Sequence, residues 1–224
     1  MKSISVIPIL LVSWAIMILI IMRINKKKPG IISYHEIQLS SLKPLSYMHA
    51  VSAIVMFFPV IIINQLPGFL LSFPDKINVN QAMAFLASFG IIGFFPWKKF
   101  SNKGKERENI SSSSILHISL YALLRIIFLV VYEWFFRGLL LISFAAWLGI
   151  NRSIIINIFL YVLMHFHKNK KEMIGCIPLG LLFCAFTIWW QSIWPAIIFH
   201  LQIAIINEWP PLQQFILPQK QTAQ

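Results

Sequence analysis

Seven carboxylates are spread through the 224-residue chain, and one of them, Glu133, lies in the middle of a long apolar run. Arg137 follows four residues later, one helical turn on and on the same face, so the two can pair and neutralise each other. Two more groups able to do chemistry lie in later apolar runs, His165 in Met164-His165-Phe166 and His200 in Phe199-His200-Leu201. Ionisable groups inside a membrane cost ~2.5–3.5 kcal/mol each on insertion scales and mark functional sites by default. One Glu and two His from three apolar segments can act in two ways. Two neutral imidazoles and a carboxylate can hold Zn2+ with a position left for water, making His165, His200 and Glu133 the ligands. Alternatively the carboxylate acts as general base on a water while the histidines polarise a carbonyl or stabilise an oxyanion. Glu172 and His167 sit nearer a segment boundary, and His117 and Arg125 read as structural residues on the approach helix.

The elements that must carry these groups are membrane helices. The chain is 58% hydrophobic and only 12% charged, with a mean hydropathy of +0.75. Soluble domains typically have ~45–50% apolar and ~25% charged residues, so an ordinary soluble globule, a disordered chain and a disulfide scaffold are all excluded. The formal charge of +12 could suggest nucleic acid. The bases, however, sit in short connections between apolar runs, the pattern of cytoplasmic loops facing anionic headgroups. No nucleic-acid partner is expected. Cys176 and Cys184, eight residues apart on one helix and ~12 Å apart, are too far for a disulfide.

The first span is read from Ile4 to Met22 and ends in Arg23, Lys26, Lys27 and Lys28. A second runs from about Tyr47 to Leu71, with Pro59 inside it, and a third from Gln81 to about Trp97, ahead of the basic loop Lys98–Arg107. From Ile115 to Ile150 the chain is almost continuously apolar; one long tilted helix, or a helix followed by a shorter segment, would fit. Asn151-Arg152-Ser153 are expected to break that run, with Ser153 capping the next helix. Two last spans, Met173 to Trp190 and Ile193 to about Trp209, are joined by Gln191-Ser192, with Ser192 as N-cap and Pro195 in the first turn. The expected fold is all-α, a polytopic transmembrane bundle of about seven spans. Residues 1–110 form N-terminal helices with basic loops, 111–210 the core that carries the site, and 211–224 a tail.

Tyr132-Glu133-Trp134-Phe135-Phe136-Arg137-Gly138 resembles the first motif of the CPBP (CAAX protease and bacteriocin-processing, or Abi) intramembrane proteases: two adjacent glutamates, three residues, then arginine, often followed by glycine. Tyr161 and His165 are similar to the second motif, an aromatic residue four before a histidine. Ser192-Ile-Trp-Pro195 with His200 is similar to the third. Order and spacing agree over about residues 115–208. The resemblance implies an intramembrane endopeptidase acting on a peptide or protein at the bilayer, with Glu133, Arg137, His165 and His200 as site residues and a metal-dependent or glutamate-based mechanism. It also implies an integral protein of, in this case, a bacterial cytoplasmic membrane. Two positions depart from the pattern. Tyr132 stands where the family has its first glutamate, and Ala204 where it has an asparagine four after the last histidine. Tyr132-Glu133 together with His165-Phe166-His167-Lys168 and Glu172 is similar to a branch of bacterial relatives. The departures leave a second class open, a catalytically weak member serving as a self-immunity or binding factor. A small transporter is disfavoured because no matched halves are visible.

The two early loops hold ten Lys and Arg, against Lys76 alone in the connection between them. The N-terminus is therefore expected outside and the loops around Lys27 and Lys103 in the cytoplasm. Cysteine-accessibility mapping should leave position 103 unlabelled by an impermeant reagent added from outside; labelling there would reverse the topology.

Overall fold

The computed structural model describes residues 6–27, 41–63, 72–74, 76–100, 112–168 and 170–213. Every element among them is helical: α1 (Ile7–Lys27), α2 (Leu42–Ile63), α3 (Val79–Phe100), α4 (Ser112–Glu133), a π-helical stretch (Trp134–Leu140), α5 (Leu141–Leu148), α6 (Ile150–Met164), α7 (Lys170–Trp190) and α8 (Trp194–Gln213). α4, the π stretch and α5 are continuous, so these residues make seven rods in an all-α membrane bundle. Ile7–Lys26, Leu42–Ile62, Ile115–Leu148 and Lys170–Trp190 are long and apolar enough to cross a bilayer, and Val79–Phe94 and Ile150–Met164 are shorter apolar helices. The basic loops 28–40 and 101–111, Pro67-Gly68 and the tail from 214 lie outside the described residues.

The long apolar block is one helix. At 1.5 Å per residue the 34 residues Ile115–Leu148 reach roughly 50 Å, well beyond the ~30 Å hydrocarbon thickness. The helix is not uniform, because Trp134–Leu140 widens to π geometry, in which Leu141 N–H bonds back five residues to Phe136 O. Gly138 fits this wider turn closely. A Cβ there would stand 2.7 Å from Trp134 Cδ1, so any larger residue must displace the indole.

The block ends earlier than its polar triplet suggests. Gly149, at φ 81°, makes the break, and Asn151, Arg152 and Ser153 are already inside α6. A left-handed backbone is open to glycine at little cost, and that local freedom outweighs the capping preference of Ser153. Ser153 is instead buried, and its hydroxyl donates to Leu141 O at 2.5 Å. One turn on, buried Asn157 donates from Nδ2 to Phe136 O at 2.7 Å. Two polar residues on one face of α6 thus tie it to the π stretch and to the first residue of α5. At the other junction Ser192 behaves as expected: its Oγ receives Trp194 N–H, and it donates to Ser72 O.

Around this unit α2 packs along α4, α1 on α2, α7 on α6 and α8, and α3 on α8. His49 stacks on Phe128 and tilts against Tyr121, while Phe57 meets Trp134. Position rises together along both chains, so α2 and α4 run parallel and begin at the same end of the bundle. Trp14 Nε1 donates to Leu160 O, joining α1 to α6.

Replacing Asn157 by alanine should leave Phe136 O with one bond fewer and cost about 1–3 kcal/mol. Equilibrium unfolding in mild detergent measures this, and an unchanged stability would show that the π stretch holds without α6.

Candidate active site

Glu133 is the last residue of α4 and is fully buried. Its Oε1 meets His200 Nδ1 at 2.5 Å, and its Oε2 faces Arg137 Nε at 3.4 Å. The expected ion pair is present, and α8 adds a third member. Arg137 is also fully buried. Its guanidinium lies 4.6 Å from the Tyr161 ring centroid, 5.2 Å from Phe183 and 5.7 Å from Phe136. Three aromatic faces stabilise the cation where water is excluded. Removing either partner of such a pair strands the other charge, at a cost of about 3–5 kcal/mol.

With the carboxylate accepting, His200 holds its proton on Nδ1, leaving Nε2 as the ring nitrogen open to other partners. His165 is set in the same way by a different acceptor. It caps the C-terminus of α6, and its Nδ1 donates to Tyr161 O at 2.9 Å. The four-residue Tyr161–His165 spacing makes that local bond, and the two rings sit 4.8 Å apart. Both histidines line a cavity of about 60 Å3 near the α6–α7 connection, together with Tyr132, Arg125, His167 and Lys168. A water needs ~10–15 Å3 of such space, so water fits there and a peptide segment requires the helices to part. Tyr132 is buried and sits edge-on to His200, with 5.5 Å between ring centroids.

Glu133 does not line this cavity; both its oxygens are turned to His200 and Arg137. Three imidazoles, His165, His167 and His200, remain at the cavity, where catalytic zinc takes three protein ligands plus water converging on one point. Among the described residues no group of three His, Cys, Asp or Glu could hold a metal ion. The set Glu133, His165 and His200 as arranged does not fit zinc, and no step below is routed through a metal.

The remaining candidates fall into place around this centre. Arg125 is bound to Glu208 of α8, Nε at 2.9 Å and Nη2 at 2.7 Å to Oε1, while Tyr121 Oη donates to Oε2 at 2.7 Å. It is a brace between α4 and α8, in keeping with a structural role. Glu172 lies half-buried in the first turn of α7, away from the cavity lining. His117 lies on the outer face of α4, beside Lys43 and Tyr47. Asn207 donates to Ile203 O on its own helix, so it does not replace the asparagine missing at buried Ala204. Sequence reasoning missed Glu208, Asn157 and His49. Glu208 carried the same signal as Glu133, an acid within an apolar helix, but fell at the expected end of the last span. Asn157 and Ser153, four apart among isoleucines, were a polar pair on one helical face.

Residues 109–206 match the family model described as type II CAAX prenyl endopeptidase Rce1-like. This segment is Rce1-like. It runs from the start of α4 into α8 and contains Glu133, Arg137, His165 and His200. No curated protein and no solved structure gives a significant match.

Two groups in the connection after α6 of the Rce1-like segment have displaced acidities. Burial holds the His167 ring neutral, with its pKa lowered to about 3, and lowers Lys168 to about 8, the Glu172 charge opposing the shift at both. Both shifts favour the neutral form in the folded state, so the unfolded chain binds more protons between the folded and ordinary values. Stability from His167 should therefore rise between pH 3 and the ordinary 6.5, and from Lys168 between pH 8 and the ordinary 10.5. Thermal unfolding of Lys168→Gln against the unaltered protein should lose the alkaline rise. Identical slopes would show that Lys168 is solvated.

Proposed function

We propose that the Rce1-like segment is an intramembrane endopeptidase of CAAX type, hydrolysing a peptide bond near or within the bilayer on the basic-loop side. The single observation that carries it is the buried Glu133–His200 contact, which orients the imidazole beside a cavity large enough for water. From the N-terminal part, residues 1–110, α1 and α2 wall the site through Met17, Ile21 and Met48; residues 111–210 carry its core, in a bacterial cytoplasmic membrane.

In this mechanism a water in the cavity donates its two protons toward His165 Nε2 and His200 Nε2. His200 takes one proton as the water oxygen attacks the peptide carbonyl. The tetrahedral intermediate collapses as the C–N bond breaks, and the same proton passes from His200 to the leaving amine. Glu133 is a positioning residue: it holds the His200 tautomer and stabilises the imidazolium that forms, the role an acid plays behind histidine in serine hydrolases. Arg137 holds the second oxygen of Glu133 from the other side. Tyr132, whose phenol has a pKa near ~10 when unperturbed, is no substitute for a carboxylate base.

Purified protein in liposomes, offered prenylated and unprenylated CAAX peptides, should cleave at least one of them. Glu133→Gln and His200→Gln should each lower kcat by about 10²–10⁴, whereas Tyr132→Phe should retain measurable activity. The second reading, a weak member that binds without cleaving, draws on Tyr132 and Ala204 at the motif positions. Inactive unaltered protein beside an active Tyr132→Glu variant would decide for it.

A further inference from the structure

A second cavity lies outside the site described above. It is a groove of about 350 Å3 between the first turns of α2 and α4, lined by Lys43, Ser46, Tyr47, His117, Leu120 and Leu124. It shares no lining residue with the His165–His200 cavity. Because α2 and α4 run parallel, Lys43 and His117 stand at the same end, on the side of the basic loops. The walls then continue inward as apolar surface. Tyr47 is 68% exposed, Leu120 45% and Ile54, farther along α2, 70%. On a membrane helix such residues face hydrocarbon.

We propose that this groove binds one anionic phospholipid of the cytoplasmic leaflet. The phosphate lies by Lys43, His117 and the Tyr47 hydroxyl, and an acyl chain runs down between α2 and α4 along Leu120 and Leu124. Charge selects the headgroup. Among the described residues the lining holds a lysine and no acid, and neither helix has an acidic residue in its first turn. The unsatisfied N–H groups of two parallel helix starts add positive potential at the same end. A choline or ethanolamine cation would find no counter-charge among the described lining residues, whereas a net anion is attracted by basic pockets between helices on this side of a membrane. The Lys43 stem can lie along the groove while its ammonium reaches the headgroup plane. Because α4 leads directly to Glu133, the lipid would brace the helix that carries the site, but the proposal does not rest on the protease reading.

Delipidated full-length protein in detergent is titrated with phosphatidylglycerol, phosphatidylcholine and inorganic phosphate, with native mass spectrometry and thermal unfolding as readouts. One phosphatidylglycerol should be retained and should raise the unfolding temperature, while phosphatidylcholine and phosphate should do neither. Lys43→Gln, at an exposed position, should weaken phosphatidylglycerol about fivefold. Leu124→Trp, which fills the groove, should abolish the retained lipid. Equal affinity for the two phospholipids, stabilisation by phosphate alone, or unchanged lipid binding in Lys43→Gln would each overturn the proposal.

Discussion

A carboxylate and a guanidinium that are both wholly removed from water impose the condition from which the rest of this bundle follows. Neither charge is tolerable alone in such a medium, so Glu133 and Arg137 must stay adjacent, and everything near them is arranged to keep them so. The second carboxylate oxygen is taken by His200 from α8. The guanidinium is sandwiched by rings from α6 and α7, through Tyr161 and Phe183. One pair thereby gathers four segments about a single point and leaves the other nitrogen of His200 beside a small cavity.

The backbone is bent to the same end. Arg137 does not sit on an ordinary α-helical turn but inside a π-helical stretch, a feature common at functional sites. The Phe136 carbonyl accepts both Leu141 N–H and the Asn157 amide. Gly138 lets the Trp134 indole lie against the widened turn. These details explain why glycine follows the arginine and why two polar residues interrupt the isoleucines of α6.

A second charged group, Arg125 with Glu208 and Tyr121, braces α4 against α8 nearer the basic-loop end. Between the two networks lie His165, His167 and Lys168. Burial drives the last two toward neutral forms. The cavity between the two networks is bounded by their ion pairs, and both oxygens of Glu133 are turned away from it to His200 and Arg137.

Much of this was legible in order and type alone. Apolar run lengths gave the membrane bundle, the four-residue spacing gave the Glu133–Arg137 pair, and three motifs in series gave the family resemblance over the segment that the Rce1-like model matches. Those signals are local, set by helical periodicity and by the cost of charge in hydrocarbon. What the tertiary structure decided is where helices distant in sequence meet. Positions 133 and 200 lie 67 residues apart, and no spacing rule reveals that His200 takes the carboxylate oxygen that zinc or water would need. Nor does a pattern distinguish Glu208 as a brace from Glu133 as a site residue, since both are acids in apolar helices. The break at Gly149, in place of the polar triplet after it, depends on a backbone angle and on Ser153 and Asn157 finding carbonyls across the packing interface. Residue types set which charges had to be paired, and the packing of α4, α6, α7 and α8 chose the partners.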